Sequence, residues 1–292
     1  MSKRELGQYF TKGIWASSFV RHQIETNLNN HGVLDPFAGG GDLNIFNTAF
    51  KGYDIDPLLG WELNDSIANV PAFEGMIITN PPYLAKNSAT RQGFGFPDSE
   101  YDDLYKIGLH NCLQASSKVV AIVPESIVVS GEFSNFSFVD ILEDNPFEDT
   151  EHPVCVIGFG FGIEQVVLKN GTPFVPVWER LSYSGNSIKI NEQGAQYTFK
   201  MIDGTNPKDR IRLMPLQDRP VQKTDRAYCG IWAEDAVCID AVNEYIETYR
   251  AKTNDLLLKP YKGNNKAGSR RRVLTQNNAK ALIHKSNWNR KK

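Results

Sequence analysis

A run of three glycines after a short apolar stretch constrains the fold of this chain most strongly. Residues 32–34 are predicted to form a buried strand, and Asp35-Pro36-Phe37-Ala38-Gly39-Gly40-Gly41 follows directly. Glycine adopts positive φ angles and lets a ligand approach the backbone closely. We therefore expect a strand, a tight turn and then a helix near residues 43–49. A glycine turn alone indicates either a ligand site or an ordinary tight connection.

A second carboxylate follows at the spacing that a strand–helix–strand unit requires. Asp54, in Tyr53-Asp54-Ile55-Asp56-Pro57, ends a second predicted strand 19 residues after Asp35. An acidic side chain there can accept hydrogen bonds from both hydroxyls of a ribose. No lysine follows the glycine turn, which argues against an ATP-type phosphate-binding loop. The two ordered motifs thus predict a cofactor that contains a nucleoside.

Apolar runs alternate with breakers through the first half of the chain. This alternation predicts a mostly parallel sheet with helices on both faces, an α/β fold of the Rossmann-like type. The rhythm ends near residue 172, so we predict a first domain at 1–172 and a second at 173–292. Further strands are predicted at 75–79, 118–123, 153–161, 165–169, 188–190, 197–201 and 211–214, and helices at 14–28, 102–115 and 234–252.

The tetrapeptide Asn80-Pro81-Pro82-Tyr83 directly follows the predicted strand 75–79. Two prolines restrict the backbone as it leaves the sheet, so their carbonyl groups point in fixed directions. The Asn80 amide and the Pro81 carbonyl could then bind the two hydrogens of a planar amino group, while Tyr83 stacks on the attached ring. The alternative is an ordinary turn between strand and loop.

The net charge of −2 conceals a strong asymmetry along the chain. Eleven of the 32 Lys and Arg residues lie in segment 256–292, which has no Asp or Glu. Residues 1–255 therefore hold 21 basic and all 34 acidic residues, a charge of −13. Such segregation is typical of a polyanion-binding face. A solvated basic tail is the alternative.

Composition and targeting signals indicate a cytoplasmic protein. No apolar run approaches the roughly 18 residues of a membrane span, and the first eight residues lack the apolar stretch of a signal peptide. The four cysteines have no CxxC pair and no histidine partners at zinc spacing, so we expect reduced structural thiols and no metal. They are Cys112, Cys155, Cys229 and Cys238.

Four elements together resemble a known enzyme family. Gly7-Gln8-Tyr9-Phe10-Thr11, the Asp35 glycine turn, Asp54-Ile55-Asp56-Pro57 and Asn80-Pro81-Pro82-Tyr83 look like the ordered motifs of adenine-specific DNA methyltransferases. Their order is that of the gamma group, and the resemblance covers roughly residues 5–170. It implies a Rossmann-like methyltransferase fold with a mostly parallel seven-stranded sheet, followed by a smaller target-recognition region.

The resemblance also implies S-adenosylmethionine as the cofactor and assigns its contacts. The element at Tyr9 would line the methionine end, the Asp35 turn the amino-acid portion, Asp54 the ribose and Asp65 the adenine. Asp103-Leu104-Tyr105 resembles the element that opens the helix after the catalytic loop, where an apolar side chain flanks that adenine. The complete set of expected cofactor-binding residues is Tyr9, Phe10, Thr11, Asp35, Phe37, Ala38, Gly39, Gly41, Asp54, Ile55, Asp65 and Asn80.

This chain departs from the family pattern at three places. Lys12 stands where proline often follows the first element, and the span from Asp54 to Asn80 is short, so the third strand must be abbreviated. The family usually has a second aromatic side chain against the target base, for which Phe147 is the candidate. Phe147 could equally be an ordinary core residue.

The implied reaction is direct methyl transfer to the 6-amino group of an adenine that has left the duplex. The catalytic residues would be Asn80, Pro81, Pro82 and Tyr83, with Tyr83 and Phe147 stacking on the base. The basic C-terminal segment would hold double-stranded DNA. The residues expected to contact its backbone are Lys259, Lys262, Arg270, Arg271, Arg272 and Lys285.

Other acceptors and settings stay open at this point. The same tetrapeptide suits methylation of RNA or of a protein glutamine amide, a cytosine amino group is a further alternative, and a DNA-binding module without catalysis is another class. No cysteine follows a proline, which excludes a cytosine carbon-5 methyltransferase. We expect a bacterial or phage-encoded monomer. It would work with a separate restriction endonuclease or alone as a genome-marking enzyme.

Overall fold

The computed structural model describes residue 11 and residues 14–144, 146–147, 153–174, 180–220 and 227–290. Contacts divide the chain into two compact units, unit 1 at Met1–Val175 and unit 2 at Pro176–Lys292. The sequence pattern placed the boundary at residue 172. None of the helices in the described ranges has the length and apolar character needed to cross a membrane.

Unit 1 is built on a nine-stranded sheet in the order β3-β2-β1-β4-β5-β7-β6-β8-β9. Five of its eight strand pairings are parallel, so the predicted α/β class with a mostly parallel sheet is confirmed. The strands are β1 Val33–Asp35, β2 Phe50–Asp54, β3 Glu62–Leu63, β4 Met76–Thr79, β5 Lys118–Pro124, β6 Phe138–Ile141, β7 Val154–Phe159, β8 Val166–Lys169 and β9 Thr172–Phe174.

The central strands of unit 1 are buried along their whole length. Every residue of β4, β6 and β7 is buried, as expected for strands covered on both faces. Four helices accompany the sheet, and the first is N-capped by the Ser17 hydroxyl, which accepts a hydrogen bond from the Val20 amide at 3.3 Å. They are α1 Ser18–Asn27, α2 Lys86–Arg91, α3 Leu104–Ala115 and α4 Ser126–Ser130.

Two details of the predicted topology are wrong. The sheet has nine strands rather than seven, because β8 and β9 extend it beyond β6. The helix expected at 43–49 is a series of turns. Leu43 and Phe46 are buried there while Asn44 and Asn47 are exposed, and asparagine favours turns because its side chain competes for backbone hydrogen bonds. Leu43 and Phe46 are therefore buried although the segment does not form a helix.

The strand order reverses between β1 and β4. The chain passes from β1 to β2 on one side and then returns to β4 on the other side. Ligands of open α/β sheets bind in the crevice outside the carboxyl ends of strands at such a reversal. The carboxyl ends of β1, β2 and β4 are Asp35, Asp54 and Thr79.

Unit 2 contains a four-stranded antiparallel sheet in the order β10-β13-β11-β12 and a separate two-stranded sheet. Its helix α5 carries Asp240 in the first turn and Arg250 and Lys252 in the last, which complements the helix dipole. The elements are β10 Ile188–Ile190, β11 Tyr197–Lys200, β12 Arg212–Pro215, β13 Tyr228–Ala233, α5 Ile239–Thr253, β14 Lys259–Asn264, β15 Arg270–Val273 and α6 Gln276–Arg290.

Segment 256–292 is not a tail, at least as far as residue 290. It forms β14, β15 and α6, and many of its apolar residues belong to the core of unit 2. Alternation of basic and apolar residues in this segment therefore reflects a folded hairpin and helix with one side inward. The buried members of this core are Leu257, Leu258, Leu274, Ala279, Ala281, Leu282 and Ile283, and Leu256 is buried as well.

A buried ion pair joins the parts of unit 2. Arg250 donates to both carboxylate oxygens of Asp203, at 2.9 and 2.8 Å, and also binds Asp255. Asp203 further accepts the backbone N–H groups of Ile211 and Arg272, each at 3.0 Å. Burial alone would raise the pKa of Asp203, but the hydrogen bonds and charge of Arg250 hold it below the ordinary value.

Removing one partner of this buried pair should destabilise unit 2 strongly. We expect Asp203→Ala to lower the free energy of unfolding by about 3–5 kcal/mol, because Arg250 would remain buried without its main counter-ion. The control is Glu247→Ala, which breaks the exposed pair with Arg210 and should cost at most about 1 kcal/mol. Urea unfolding monitored by circular dichroism measures both, and equal losses would contradict the assignment.

Candidate active site

The glycine turn after β1 is closed by backbone hydrogen bonds and by a tryptophan. The Ala38 amide donates to the Tyr53 carbonyl at 2.9 Å, and Gly41 donates to Ala38 at 2.7 Å. Gly41 has φ +80°, and a Cβ atom there would lie 3.1 Å from the Trp61 ring. Trp61 also donates its indole N–H to the Gly39 carbonyl at 2.9 Å. This turn therefore requires glycine for both its backbone angles and its neighbour.

Asp54 ties the glycine turn to the end of β2. One carboxylate oxygen accepts the Gly39 amide and the other accepts the Asp56 amide, each at 2.9 Å. A carboxylate offers about four lone-pair sites, so two such bonds leave acceptor capacity for a ligand. Asp54 thus holds the turn in shape and can still bind hydroxyl groups.

Asp35 is a buried carboxyl group at the end of β1, with 1% of its surface exposed. Its Oδ1 atom accepts the Thr79 hydroxyl at 2.8 Å and the Phe37 amide at 3.0 Å. Burial raises the pKa of Asp35 to about 7, although both hydrogen bonds oppose the rise. The bond from Thr79 joins the carboxyl ends of β1 and β4.

The Asn80 side chain is held at both ends. Its Nδ2 donates to the Thr11 hydroxyl at 3.3 Å, and its Oδ1 accepts the Tyr83 hydroxyl at 2.9 Å. The Tyr83 hydroxyl also lies 2.9 Å from the Ile122 carbonyl oxygen in β5. These contacts fix the orientation of the amide, and an amide oxygen that accepts one bond retains a second lone pair.

A cavity of about 320 Å³ lies at the carboxyl ends of β1, β2 and β4. Nine of the predicted cofactor-binding residues line this cavity. Gly41 does not line it, and Tyr9 and Phe10 lie outside the described residues. The predicted residues that line the cavity are Thr11, Asp35, Phe37, Ala38, Gly39, Asp54, Ile55, Asp65 and Asn80, and further lining comes from Asp42, Leu59, Asn64, Ser66, Ile67, Pro82 and Leu104.

The loop after β3 contributes the predicted residue Asp65 and two polar residues that the sequence did not indicate, Asn64 and Ser66. Asn64 donates its backbone N–H to the Asp54 carbonyl at 3.0 Å, and its side chain donates to the Ser66 hydroxyl at 2.9 Å. Asp65 accepts the Ile67 amide at 3.1 Å and so shapes the same loop. Strand β3 has only two residues, so the sequence contains no apolar run that would indicate its position. A strand that short offers no periodic signal to locate the polar loop behind it.

Phe147 lies in the core of unit 1 with 5% of its surface exposed. Its ring meets the Tyr83 ring edge to face at 5.9 Å, and Tyr105 makes a similar contact at 6.0 Å. Of the two roles predicted for Phe147, the structure places it in the second, an ordinary core residue. Its edge contact supports Tyr83 directly.

The predicted DNA-backbone residues differ in their placement. Arg272 is buried, with its guanidinium donating to the Leu258 carbonyl at 3.2 Å, so the expectation that it contacts DNA is wrong. Arg271 is half-buried and its Nε donates to the Asp203 carbonyl at 2.8 Å. Lys259 is exposed, Arg270 and Lys285 are half-buried, and the side chain of Lys262 lies outside the described residues.

Within the described part of the chain, no three His, Cys, Asp or Glu side chains are grouped so that they could hold a metal ion. All four cysteines are free thiols. The polar groups of the cavity are carboxylates, amides and hydroxyls, which bind organic ligands through hydrogen bonds.

No protein-family model and no curated protein matches the chain. Among solved structures, it is similar to a type I restriction-modification system methyltransferase subunit from Streptococcus thermophilus, at 15% identity and TM-score 0.37, over 54% of this chain and 47% of that one. It is also similar to the type I restriction enzyme EcoKI M protein, at 14% identity and TM-score 0.35, over 47% and 41%. A third similar structure is a DrdV–DNA complex, at 13% identity and TM-score 0.41, over 57% of this chain and 28% of that one. The chain spans less than half of the length of each of these three proteins.

The pKa of Asp35 makes the stability of unit 1 depend on pH. A carboxyl group with a folded-state pKa near 7 and an unfolded value near 3.9 binds more protons when folded. Its contribution to stability is therefore complete below about pH 4 and is lost as pH rises towards 7. Asn cannot titrate. Wild-type stability relative to Asp35→Asn should fall between about pH 4 and pH 7, with an upper bound of about 4 kcal/mol over the whole transition.

Thermal unfolding of both proteins across that pH range measures this effect. Asp42→Asn, which changes an exposed carboxylate of the same turn, is the matched control. The difference in stability between this variant and wild type should change much less with pH. A flat difference between wild type and Asp35→Asn would show that the Asp35 carboxyl ionises normally.

Proposed function

We propose that unit 1 binds S-adenosylmethionine in the cavity and that the protein transfers its methyl group to the 6-amino group of adenine in DNA. The observation that carries this proposal is the Asn80 amide, which lines the same cavity as Asp35 and Asp54 and has its orientation held at both ends. A hydrogen-bonding group of fixed geometry at the reversal of strand order is suited to a planar amino substrate.

The cavity residues fit this cofactor. Asp54 has acceptor capacity for ribose hydroxyls, and Asp35 is a buried carboxyl group that can ionise beside a positive charge. Ile55, Leu59 and Leu104 provide apolar walls for a purine ring. The volume of about 320 Å³ lies in the range of small-molecule sites. When bound, S-adenosylmethionine supplies an electrophilic methyl group on a sulfonium centre.

Asn80 and Pro81 would activate the acceptor. The adenine amino nitrogen is weakly nucleophilic because its lone pair is delocalised into the ring. Hydrogen bonds from its two protons to Asn80 Oδ1 and the Pro81 carbonyl would draw the nitrogen towards a tetrahedral geometry. Pro81 and Pro82 restrict the backbone, so both acceptors are positioned before substrate binds. An amide is too weak a base to keep the proton, which would leave to solvent.

Tyr83 would receive the base after it leaves the duplex. Extrusion costs a few kcal/mol, and stacking on an aromatic ring recovers about 1–3 kcal/mol. Edge contacts from Tyr105 and Phe147 and the hydroxyl bonds to Asn80 and Ile122 hold the Tyr83 ring. One side chain would thus support both the base and the amide.

The acceptor is the least constrained part of the proposal. RNA, a glutamine amide or a cytosine amino group presents the same planar nitrogen to Asn80. DNA is supported by the order of the motifs, by the resemblance of the element at Gly7–Thr11, whose residues before Thr11 lie outside the described residues, and by the basic character of segment 256–292. Such an enzyme would act in the cytoplasm, beside a restriction endonuclease or alone.

Transfer of a labelled methyl group tests the proposal. The protein is incubated with methyl-labelled S-adenosylmethionine and with duplex DNA, duplex RNA or glutamine-containing protein, and the products are digested and identified by mass spectrometry. We expect 6-methyladenine in DNA. Label in 4-methylcytosine, RNA or protein would show that the acceptor is not adenine in DNA. An absence of S-adenosylmethionine binding by calorimetry would overturn the proposed function itself.

Substitutions at Tyr83 should separate its two roles. Tyr83→Phe keeps the ring and loses the bond to Asn80, so kcat should fall about 3–10-fold with an unchanged KM for DNA. Tyr83→Ala also loses stacking, so KM should rise as well. Asn80→Ala should lower kcat about 100-fold or more. Steady-state kinetics on duplex DNA measures all three, and identical constants for the Phe and Ala variants would exclude the stacking role.

A further inference from the structure

Strands β14 and β15 form a hairpin whose surface charge is entirely positive. This basic hairpin, residues 259–273, contains six Lys and Arg residues and no Asp or Glu. The methyl transfer that we propose for unit 1 does not involve the basic hairpin. Its antiparallel register pairs Lys259 with Val273 and Asn264 with Arg270, with an irregularity between them.

The root of the basic hairpin is anchored in unit 2. The Arg272 side chain turns inward to the Leu258 carbonyl, and its backbone N–H donates to the Asp203 carboxylate. Arg271 donates to the Asp203 carbonyl, and Val273 forms a bridge with Ile202. A two-stranded hairpin alone is marginal in water. This one is rigid at its base because Asp203 is itself bound by Arg250.

The tip of the basic hairpin is ordered while its charges point outward. Asn265 Oδ1 accepts the amides of Ala267 and Ser269 at 2.9 and 3.0 Å, and the Lys266 amide donates to the Thr205 carbonyl at 2.8 Å. The Lys266 side chain is exposed, as is that of Lys259. The backbone is therefore preorganised beneath both ammonium groups, which lowers the entropy cost of binding.

Space is open beside two glycines of the basic hairpin. A Cβ atom added at Gly263 or Gly268 would meet no described atom within 4 Å. The Arg271 guanidinium lies 4.9 Å from the centre of the Tyr261 ring, a stacking contact that holds a cation in place at the strand surface. A ligand could approach the backbone closely at both glycines.

The dimensions and charge match one groove. A six-residue strand is about 20 Å long, and the major groove of B-DNA, about 12 Å wide, admits a two-stranded ribbon. The deep, narrow major groove of A-form RNA does not. Exposed lysines on both strand and tip can neutralise phosphates at the groove edges.

We propose that the basic hairpin enters the major groove of duplex DNA, with Lys259 and Lys266 binding backbone phosphates. This inference rests on the proposed function, because it names the element that holds the DNA substrate. Arg272 acts only as the anchor of the hairpin, and the outward lysines provide the contacts.

The test compares two double variants of the full chain. Lys259→Gln/Lys266→Gln removes the exposed hairpin charges, and Lys208→Gln/Lys252→Gln removes two exposed lysines of unit 2 outside the hairpin. Fluorescence anisotropy with labelled duplex DNA gives the dissociation constant between about 50 and 200 mM salt. The hairpin variant should bind every sequence more weakly, and its slope of log affinity against log salt should shrink by about 2. The control should keep the wild-type slope.

Parallel measurements separate this inference from the proposed function. Calorimetric cofactor binding and unchanged melting temperatures show that the variants are folded. Wild-type protein that methylates adenine while the hairpin variant keeps the full slope would overturn the hairpin inference alone. Wild-type protein that binds DNA through the hairpin without methyl transfer would overturn the function alone. Equal affinity for RNA duplex of the same sequence, or no affinity for DNA, would overturn the groove assignment.

Discussion

The convergence of three parallel strand ends is the constraint on which the candidate site depends. Strand β1 lies between β2 and β4, so Asp35, Asp54 and Thr79 end at the same edge of the sheet. Two hydrogen bonds then lock this edge: Thr79 to Asp35, and the Gly39 amide to Asp54. The glycine turn and Asn80 are positioned by these bonds, since each is covalently continuous with a locked residue. The cavity exists because the chain must leave β1 and β4 in opposite directions.

A buried carboxylate organises each unit, and its partner decides its role. Asp203 is matched by Arg250, and its pKa is lowered against the effect of burial. Such a sealed, satisfied pair holds structure together and is costly only when broken. Asp35 has a hydroxyl and an amide as partners, and burial raises its pKa to about 7. A carboxyl group in that state beside a cavity is prepared to ionise against a cationic ligand.

The orientations of the Asn80 amide and the Tyr83 ring are coupled by a hydrogen bond. The Tyr83 hydroxyl lies within hydrogen-bond distance of two acceptors, Asn80 Oδ1 and the Ile122 carbonyl oxygen in β5, while Phe147 and Tyr105 pack against the ring. The orientation of the amide therefore depends on core packing behind the loop. The same logic applies to the basic hairpin, whose exposed lysines depend on Arg272 and Asp203 beneath them. In both places, contacts with packed neighbours hold the segment that carries these polar groups.

The sequence by itself determined the α/β class and the positions where strands end in polar residues. A strand-like run that leads into Asp35, Asp54 or Asn80 and then a breaker is a local pattern, and it terminates a strand whatever the partners are. Only the tertiary structure decided which side chains point inward. Phe147 as a base clamp and Phe147 as core have the same local sequence, and Arg270-Arg271-Arg272 does not reveal that its last member is buried. The turns at 43–49, strand β9 and the cavity role of Asn64 likewise depend on neighbours distant in the chain. Burial is a property of those neighbours, because a side chain is desolvated by what packs against it and not by the residues beside it in sequence.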